Sequence, residues 1–578
     1  MTRPRRRVAW TALVLPAICS AALVGPAGAQ RDTTRAQTWC HGQPISGVTI
    51  RSVAPTVAGA RRVPVLRDIV GATHVNTQPQ IVRRFLLLKE GDRCLELRRA
   101  ESERILRAQP FIADARIAVL PGDEAGSVEL DVQTVDEASL VVGAMPGAGM
   151  PPLRQLRLGN ANLGGLGVYA AADWRDREPR RDEYGARLVD NQFLEQPWVL
   201  SLAGRRADRG GDWEGALFRP FLTGLQRYAW HAGGGASGGY VGLEAPGEAT
   251  RGVRVDRGWG DLGGIARVGP PERLGLLGVG MTYERERAGR STVLLNDSGV
   301  SPDPRPVLLD YDKLTAARFN AFLGFRALRF VRVQGMDALS ATQDLPVGVQ
   351  VGGMMGRGIP ALGSDEADRF FASDLSFGAG NEERAMRGQL RGEARRAGGR
   401  FDDILFTGRV AQYFKPNWRR TLMVAAEWGG GSKQRIPYQL QLGAPEAGVR
   451  GWGDARLAGA WRGVLQVEDR HLVGRVGSLG DLGWGWFADA GRVWRGDAPV
   501  AVTTPMRASL GVSLLGAVPA GSARLWRVDL AFPLGEGAGR RVALVFSHND
   551  RTRVFWREPG DVTALHARSQ PSSVFDWP

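Results

Sequence analysis

The sequence predicts a transmembrane antiparallel β-barrel of about 16 strands, preceded by a small α+β domain. Three observations predict it. The first residues have the form of a secretory leader. No later window reaches the ~18 consecutive apolar residues of a membrane-crossing helix. About 420 residues, from Glu137 to Trp556, then alternate with a period of two. Only helices and closed barrels cross a bilayer, because every backbone polar group there needs an internal partner.

The leader occupies residues 1–29. Arg3, Arg5, Arg6 and Arg7 form a basic start, Val8 to Val24 is mostly apolar, and Ala27-Gly28-Ala29 is a small-residue cleavage site. A short lead segment, 30–44, follows. The formal charge of +15 falls to +11 once the four leader arginines are removed. Only Lys89, Lys313, Lys415 and Lys433 are lysines, so the positive charge is almost all arginine. These arginines are spread along the chain, often at every second position, and the chain is exported. Both facts exclude nucleic acid as the partner. Glycine supplies 78 of 578 residues, about twice the usual ~7 per cent. No collagen repeat accompanies it, and 43% hydrophobic residues exclude disorder.

Residues 45–136 mix periods. Ile45 to Val53 alternates as a strand, while Ile81, Phe85 and Leu88 fall at helical spacing within Gln78 to Leu88. After Gly91-Asp92, a second helix over Leu95 to Gln109 places Leu97, Ala100, Ile105 and Leu106 on one stripe. Two alternating strands joined by a Pro-Gly-Asp turn complete a β-α-α-β-β order. With the Gly91-Asp92 step and the Gln109-Pro110-Phe111 approach to the next strand, this region resembles a POTRA domain. Cys19 leaves with the leader, so Cys40 and Cys94 can form one disulfide in an oxidising compartment. Cys40-His41 lacks the further ligands of a metal site, and no metal or cofactor is expected.

Residues 137–558 carry the barrel pattern, and 559–578 form a polar tail. In one segment Leu422, Val424, Ala426 and Trp428 oppose Thr421, Met423, Ala425 and Glu427. In others Trp526, Val528, Leu530 and Phe532 oppose Arg527 and Asp529, and Leu465 and Val467 oppose Arg462, Gln466, Glu468 and Arg470. A soluble sandwich also alternates. The length exceeds an ordinary sandwich, and alternating segments of about 10 residues separated by turns fit a membrane barrel. Glycine then serves strand kinks, tight turns and a crowded interior.

One motif set stands out. Val449-Arg450-Gly451-Trp452 lies in a long turn, followed by a strand with Glu468 and a strand with Phe487, Asp489 and Gly491. Parity puts Glu468 with Gln466 and Arg470, and Asp489 with Gly485, Phe487 and Gly491. If the ionisable face lines the lumen, both carboxylates point inward, and an arginine on an inward-folded loop can pair with them through its planar fork. These residues resemble the Omp85 superfamily (BamA/TamA type). Its barrel has an inward loop tipped by V/I-R-G-F/Y and a following strand with F-x-D-x-G. Trp452 departs from the usual Phe or Tyr but keeps a large aromatic. The resemblance implies that Arg450 contacts Asp489 with Glu468 nearby.

It also implies a bacterial outer-membrane protein with its N-terminal domain in the periplasm. Such a protein assists insertion of outer-membrane proteins or translocates polypeptides. Its partners would be outer-membrane lipids, unfolded or extended clients held by the POTRA-like domain, and accessory periplasmic proteins. A single POTRA-like domain, where the main assembly factors carry several, points to a specialised member. The alternatives are a two-partner secretion transporter exporting one dedicated protein, and a passive porin. A barrel closed between its first strand, near Glu137 to Gly143, and its last, near Val542 to His548, has no hairpin at that seam. No enzyme is expected. Gly235 to Gly239 fits G-x-S-x-G around Ser237, but that motif needs a strand before it and a helix after it. The flanks here read as strand on both sides, and the six histidines are scattered.

Overall fold

A computed structural model describes residues 37–54, 75–146, 153–176, 182–297, 299–311, 313–444, 447–476, 480–550, 558–564 and 566. The expected leader, most of the lead segment and most of the polar tail lie outside these residues.

The small domain comprises β1 (His41–Val53), α1 (Pro79–Arg84), β2 (Arg93–Leu95), α2 (Glu96–Arg107), β3 (Ile112–Pro121) and β4 (Val128–Asp136). Its sheet order is β2-β1-β4-β3, with β1 parallel to β4 and the other pairs antiparallel. The first strand begins at His41, four residues before the sequence reading placed it. Ile45, Ile81, Val82, Phe85, Leu106, Ile117, Leu130 and Val132 form one buried core between sheet and helices. Cys40 and Cys94 are joined by a disulfide, with their Cα atoms 4.9 Å apart.

Helix α2 departs from the predicted stripe. Leu97 is 50% exposed, while Glu103 and Arg104 are buried with Ile105 and Leu106. The charged residues face the barrel. Arg107 makes a bidentate pair with Asp344 at 2.9 and 2.7 Å, and Arg332 pairs with Glu103. Arg104 donates to the Leu222 carbonyl, and Glu101 accepts from Thr223 at 2.6 Å. Nearby, Asp136 accepts from Thr77 at 2.6 and 2.8 Å, and Asn162 donates to the Thr77 hydroxyl at 2.8 Å. The small domain therefore rests on one rim of the barrel, against turns 161–167, 191–198 and 220–227.

From Leu140 to Asp550 the chain forms one closed antiparallel sheet. Among the described residues twenty strands make the wall, and the short hairpin Val293–Asn296 and Gly299–Pro302 hangs from it. The wall corrects the expected number of about 16, which assumed ~26 residues per strand and linker. Several links are only two residues, at 208–209, 398–399 and 418–419. The strands beside the closure are short as well, with Leu140–Pro146 at 7 residues and Ala543–Asp550 at 8. Those across the barrel reach 21, in Leu314–Gln334. Leu140–Pro146 and Ala543–Asp550 are the neighbours that close the sheet.

Period two sorts the faces. Along Leu274–Ala288, Leu277, Val279, Met281 and Tyr283 are exposed outward, while Thr282, Glu284 and Glu286 are buried inward. Leu510, Val512 and Leu514, then Trp484 and Trp486, continue the outer apolar band. That band is the lipid face of a membrane barrel, and the ionisable face is its lumen. Glycine serves the wall through missing side chains. Phe377 lies opposite Gly388 and Trp428 opposite Gly408, each ring covering the space a Cβ would take.

Replacing both Cys40 and Cys94 by serine should cost the small domain about 2–4 kcal/mol. Native-state hydrogen exchange of β1 and β2 in the full chain checks this. Unchanged protection would remove the disulfide from the stability of that sheet.

Candidate functional site

The site begins with a loop that turns inward. Residues 433–460 join strand Arg420–Ser432 to strand Trp461–Val476, at the rim away from the small domain. A two-residue antiparallel pair, Leu440–Gln441 with Ala458–Gly459, narrows the neck of this loop. Its tip is Val449 to Trp452, tied back by Val449 N–H donating to the Leu442 carbonyl at 2.7 Å.

Arg450 carries the contacts. Its Nε donates to Asp489 Oδ2 at 2.6 Å and its Nη2 to Oδ1 at 2.7 Å. The Arg450 backbone N–H adds a third bond to the same carboxylate at 3.2 Å. Nη1 reaches Glu468 at 3.3 Å and lies 3.5 Å from Asp529. The guanidinium carbon stands 3.4 Å from the centre of the Phe487 ring, so the cation also rests on an aromatic face. Burial alone would lower this guanidinium. Asp489, then Glu468 and Asp529, outweigh burial and hold it above its ordinary value. It stays charged.

Each neighbouring motif residue has a steric or bonding reason. Gly451 has φ +86°, and a Cβ there would stand 2.7 Å from Pro533. Both the backbone conformation and the close approach demand glycine. Trp452 is fully buried and donates its indole N–H to the Ala508 carbonyl at 3.0 Å. Its large ring packs with Leu442, Val449, Val464 and Val493. Val449 enters the space that Gly491 leaves, since a Cβ on Gly491 would lie 2.9 Å from Val449 Cγ2. The strand motif thus reads as three functions at alternating positions: Phe487 stacks, Asp489 pairs and Gly491 makes room.

The sequence reading named Asp489 and Glu468 as partners but missed the rest of the cluster. Arg527 donates to both Glu468 oxygens at 2.9 and 2.8 Å, pairs with Asp529, and reaches Ser513 at 2.8 Å. Ser513 in turn donates to Asp529 at 2.6 Å. Arg470 lies 3.5 Å from Glu468 and donates to the Met336 and Asp337 carbonyls at 2.6 and 2.9 Å. Three arginines and three carboxylates balance in one buried cluster. Parity alone had put Arg527 and Asp529 on the ionisable face. Their meeting with Arg450 depends on ladder register across three further strands.

Ser237 lies inside the continuous strand Tyr228–Leu243, paired with Asp212 and Arg257 on either side. No helix follows it, so the geometry of a nucleophile elbow is missing there.

No protein-family profile and no curated protein matches this chain. Among solved structures it is similar to BamA from Haemophilus ducreyi lacking POTRA domains 1–3, at 12% identity over 87% of this chain and 85% of that one, with TM-score 0.38. It is similar to CdiB from Escherichia coli at 13% identity, over 87% of this chain and 75% of that one, with TM-score 0.44. CdiB from Acinetobacter baumannii aligns at 10% identity, over 88% and 74%, with TM-score 0.40.

Removing one partner of a desolvated ion pair costs on the order of 3–5 kcal/mol. Arg450→Ala should therefore release the loop tip, read as faster proteolysis within loop 433–460 and a lower thermal midpoint of the folded form. Gly451→Ala should act in the same direction, because a non-glycine residue at positive φ costs of order 1–3 kcal/mol before any clash with Pro533. Loop protection equal to that of the parent chain in both variants would contradict the assignment.

Proposed function

We propose that this chain is an Omp85-type protein of the bacterial outer membrane that inserts barrel proteins or translocates polypeptides. The arginine-tipped loop, locked into the lumen on Asp489 and Glu468, is the observation that carries the reading. It accounts for Val449, Arg450, Gly451, Trp452, Phe487, Asp489 and Gly491 together. The small domain would face the periplasm as a POTRA-like module. The outward backbone groups of its edge strand β3 are held by Arg99, Glu103 and Arg107 of α2 and by Thr38, so an extended client adding a strand there would displace these contacts.

The seam supplies the physical means. Strands Leu140–Pro146 and Ala543–Asp550 meet without a covalent hairpin and are among the shortest in the wall. Parting them breaks fewer ladder bonds than parting any pair across the barrel. A passive porin is disfavoured because loop 433–460 folds into the lumen and is fixed there by Arg450. We assign no catalytic role to the chain. The single POTRA-like domain keeps a two-partner exporter of one dedicated protein as the second reading.

Depletion of the protein followed by a quantitative census of outer-membrane barrels separates the two readings. A general fall in barrels supports assembly; loss of one secreted protein supports the exporter. Cysteine pairs engineered between Leu140–Pro146 and Ala543–Asp550 should abolish either activity when oxidised and restore it when reduced. Full activity with the seam locked would eliminate lateral opening.

A further inference from the structure

Beyond strand Ala543–Asp550 the chain returns into the barrel. The Asp561 carboxylate pairs with Arg462 of strand Trp461–Val476, at 2.5 and 3.3 Å. The Ala564 carbonyl accepts from Arg257 of strand Arg251–Val268 at 2.7 Å. His566 stands between Glu393 of strand Arg384–Ala397 and Glu558, 2.6 Å from the latter. Glu558 is also 3.5 Å from the Thr407 hydroxyl of strand Arg400–Asn417. These wall residues point inward from well-separated parts of the sheet. A segment that touches all of them occupies the lumen.

Its grip falls on the inward loop. Arg462 is 2% exposed, and the same Nη1 that meets Asp561 donates to the Gln441 carbonyl at 2.9 Å, in the neck of loop 433–460. Its other terminal nitrogen reaches Glu427 at 3.3 Å. Val562 is buried against Leu405, Tyr438, Leu440, Ala460, Ala498 and Ala501. Tyr438, Leu440 and Ala460 belong to that neck. Burial alone would lower the His566 imidazole, yet Glu393 and Glu558 outweigh it and push it up to about 10. At neutral pH the ring is a cation bridging two carboxylates. Arginine, aspartate, imidazolium and a buried valine together make a built site.

We propose that the lumen holds a binding site for the chain's own C-terminal segment, and that residues 558–564 with His566 act as a latch on the neck of loop 433–460. The cluster around Arg450 holds the tip of the loop, and the latch holds its base. The latch stands apart from the question of which client the barrel handles, and it survives the failure of the assembly reading.

The test uses Ala501→Cys, a small change at the floor of the latch site, in the full chain and in a chain ending at residue 557. Both are compared in detergent micelles, with retained heat-modifiable gel mobility confirming a folded barrel. Maleimide should label the shortened chain about 10-fold faster or more, and trypsin should cut loop 433–460 correspondingly faster, because local opening controls both. A synthetic peptide of residues 556–568 added in trans should restore protection, whereas the same peptide with Asp561→Lys should not. Should the shortened chain fail to fold, full-length Asp561→Lys with Val562→Asp is read in the same way. Equal labelling in the two chains overturns the proposal, as does equal protection by the two peptides. Faster labelling with an uncut loop overturns the latch and leaves only a plug.

Discussion

The interior depends on one ion cluster. Arg450 brings a loop tip to carboxylates on strands Trp461–Val476, Gly480–Trp494 and Arg524–Leu534, while Arg527 and Ser513 connect two of them, Glu468 and Asp529. Holding a loop inside a lumen costs conformational entropy of about 1–2 kcal/mol for each residue fixed. Apolar packing of Val449 and Trp452 offsets part of this. The charges fix the geometry, because each arginine and carboxylate left unpaired in that setting is expensive.

The cluster also makes the barrel asymmetric. Strands from Trp461 to Leu534 are cross-linked through their lumen faces, and the last strand, Ala543–Asp550, borders that stiff block. On the other side of the seam the strands are short, and their lower turns are carried by the small domain, through contacts such as Thr77 with Asn162 and Gln192 with Ile81. The small domain and the residues that follow it brace both sides of the seam, since Arg524 donates to the Pro110 and Ala138 carbonyls at 2.7 and 3.0 Å and Ser522 donates to Glu137.

Parity made the two faces legible: Trp526, Val528, Leu530 and Phe532 turn outward, and Thr421, Met423 and Ala425 turn inward, as alternation requires. The motif residues were legible because their types are unusual together. Strand number was not, since an even spacing of about 26 residues per strand was assumed and this chain uses two-residue links. The docking face of α2 was also hidden. Glu103 and Arg107 look like ordinary solvated helix charges until Arg332 and Asp344 arrive from more than two hundred residues away. The path of the tail was hidden for the same reason. Local period reports which face a residue takes, and says nothing of which distant element will meet it.

The two compositional excesses, glycine and arginine, meet in the lumen. Arg450 lies on the Phe487 ring, and that ring lies over Gly511 on the next strand, where a Cβ would come within 2.2 Å of it. Arg318 lies 5.2 Å from the Phe370 ring, opposite Gly356, where the space of a Cβ is taken by the Asn320 amide oxygen at 2.2 Å. A guanidinium is flat enough to cover a ring and still offer its edge to carboxylates, as Arg450 does to Asp489 and Arg318 to Asp368. Lysine, a compact point charge, can do only one of the two. A lumen built from such layers needs arginine for its cations and glycine wherever a ring must lie flat. Part of a composition with four lysines and 78 glycines follows from this interior.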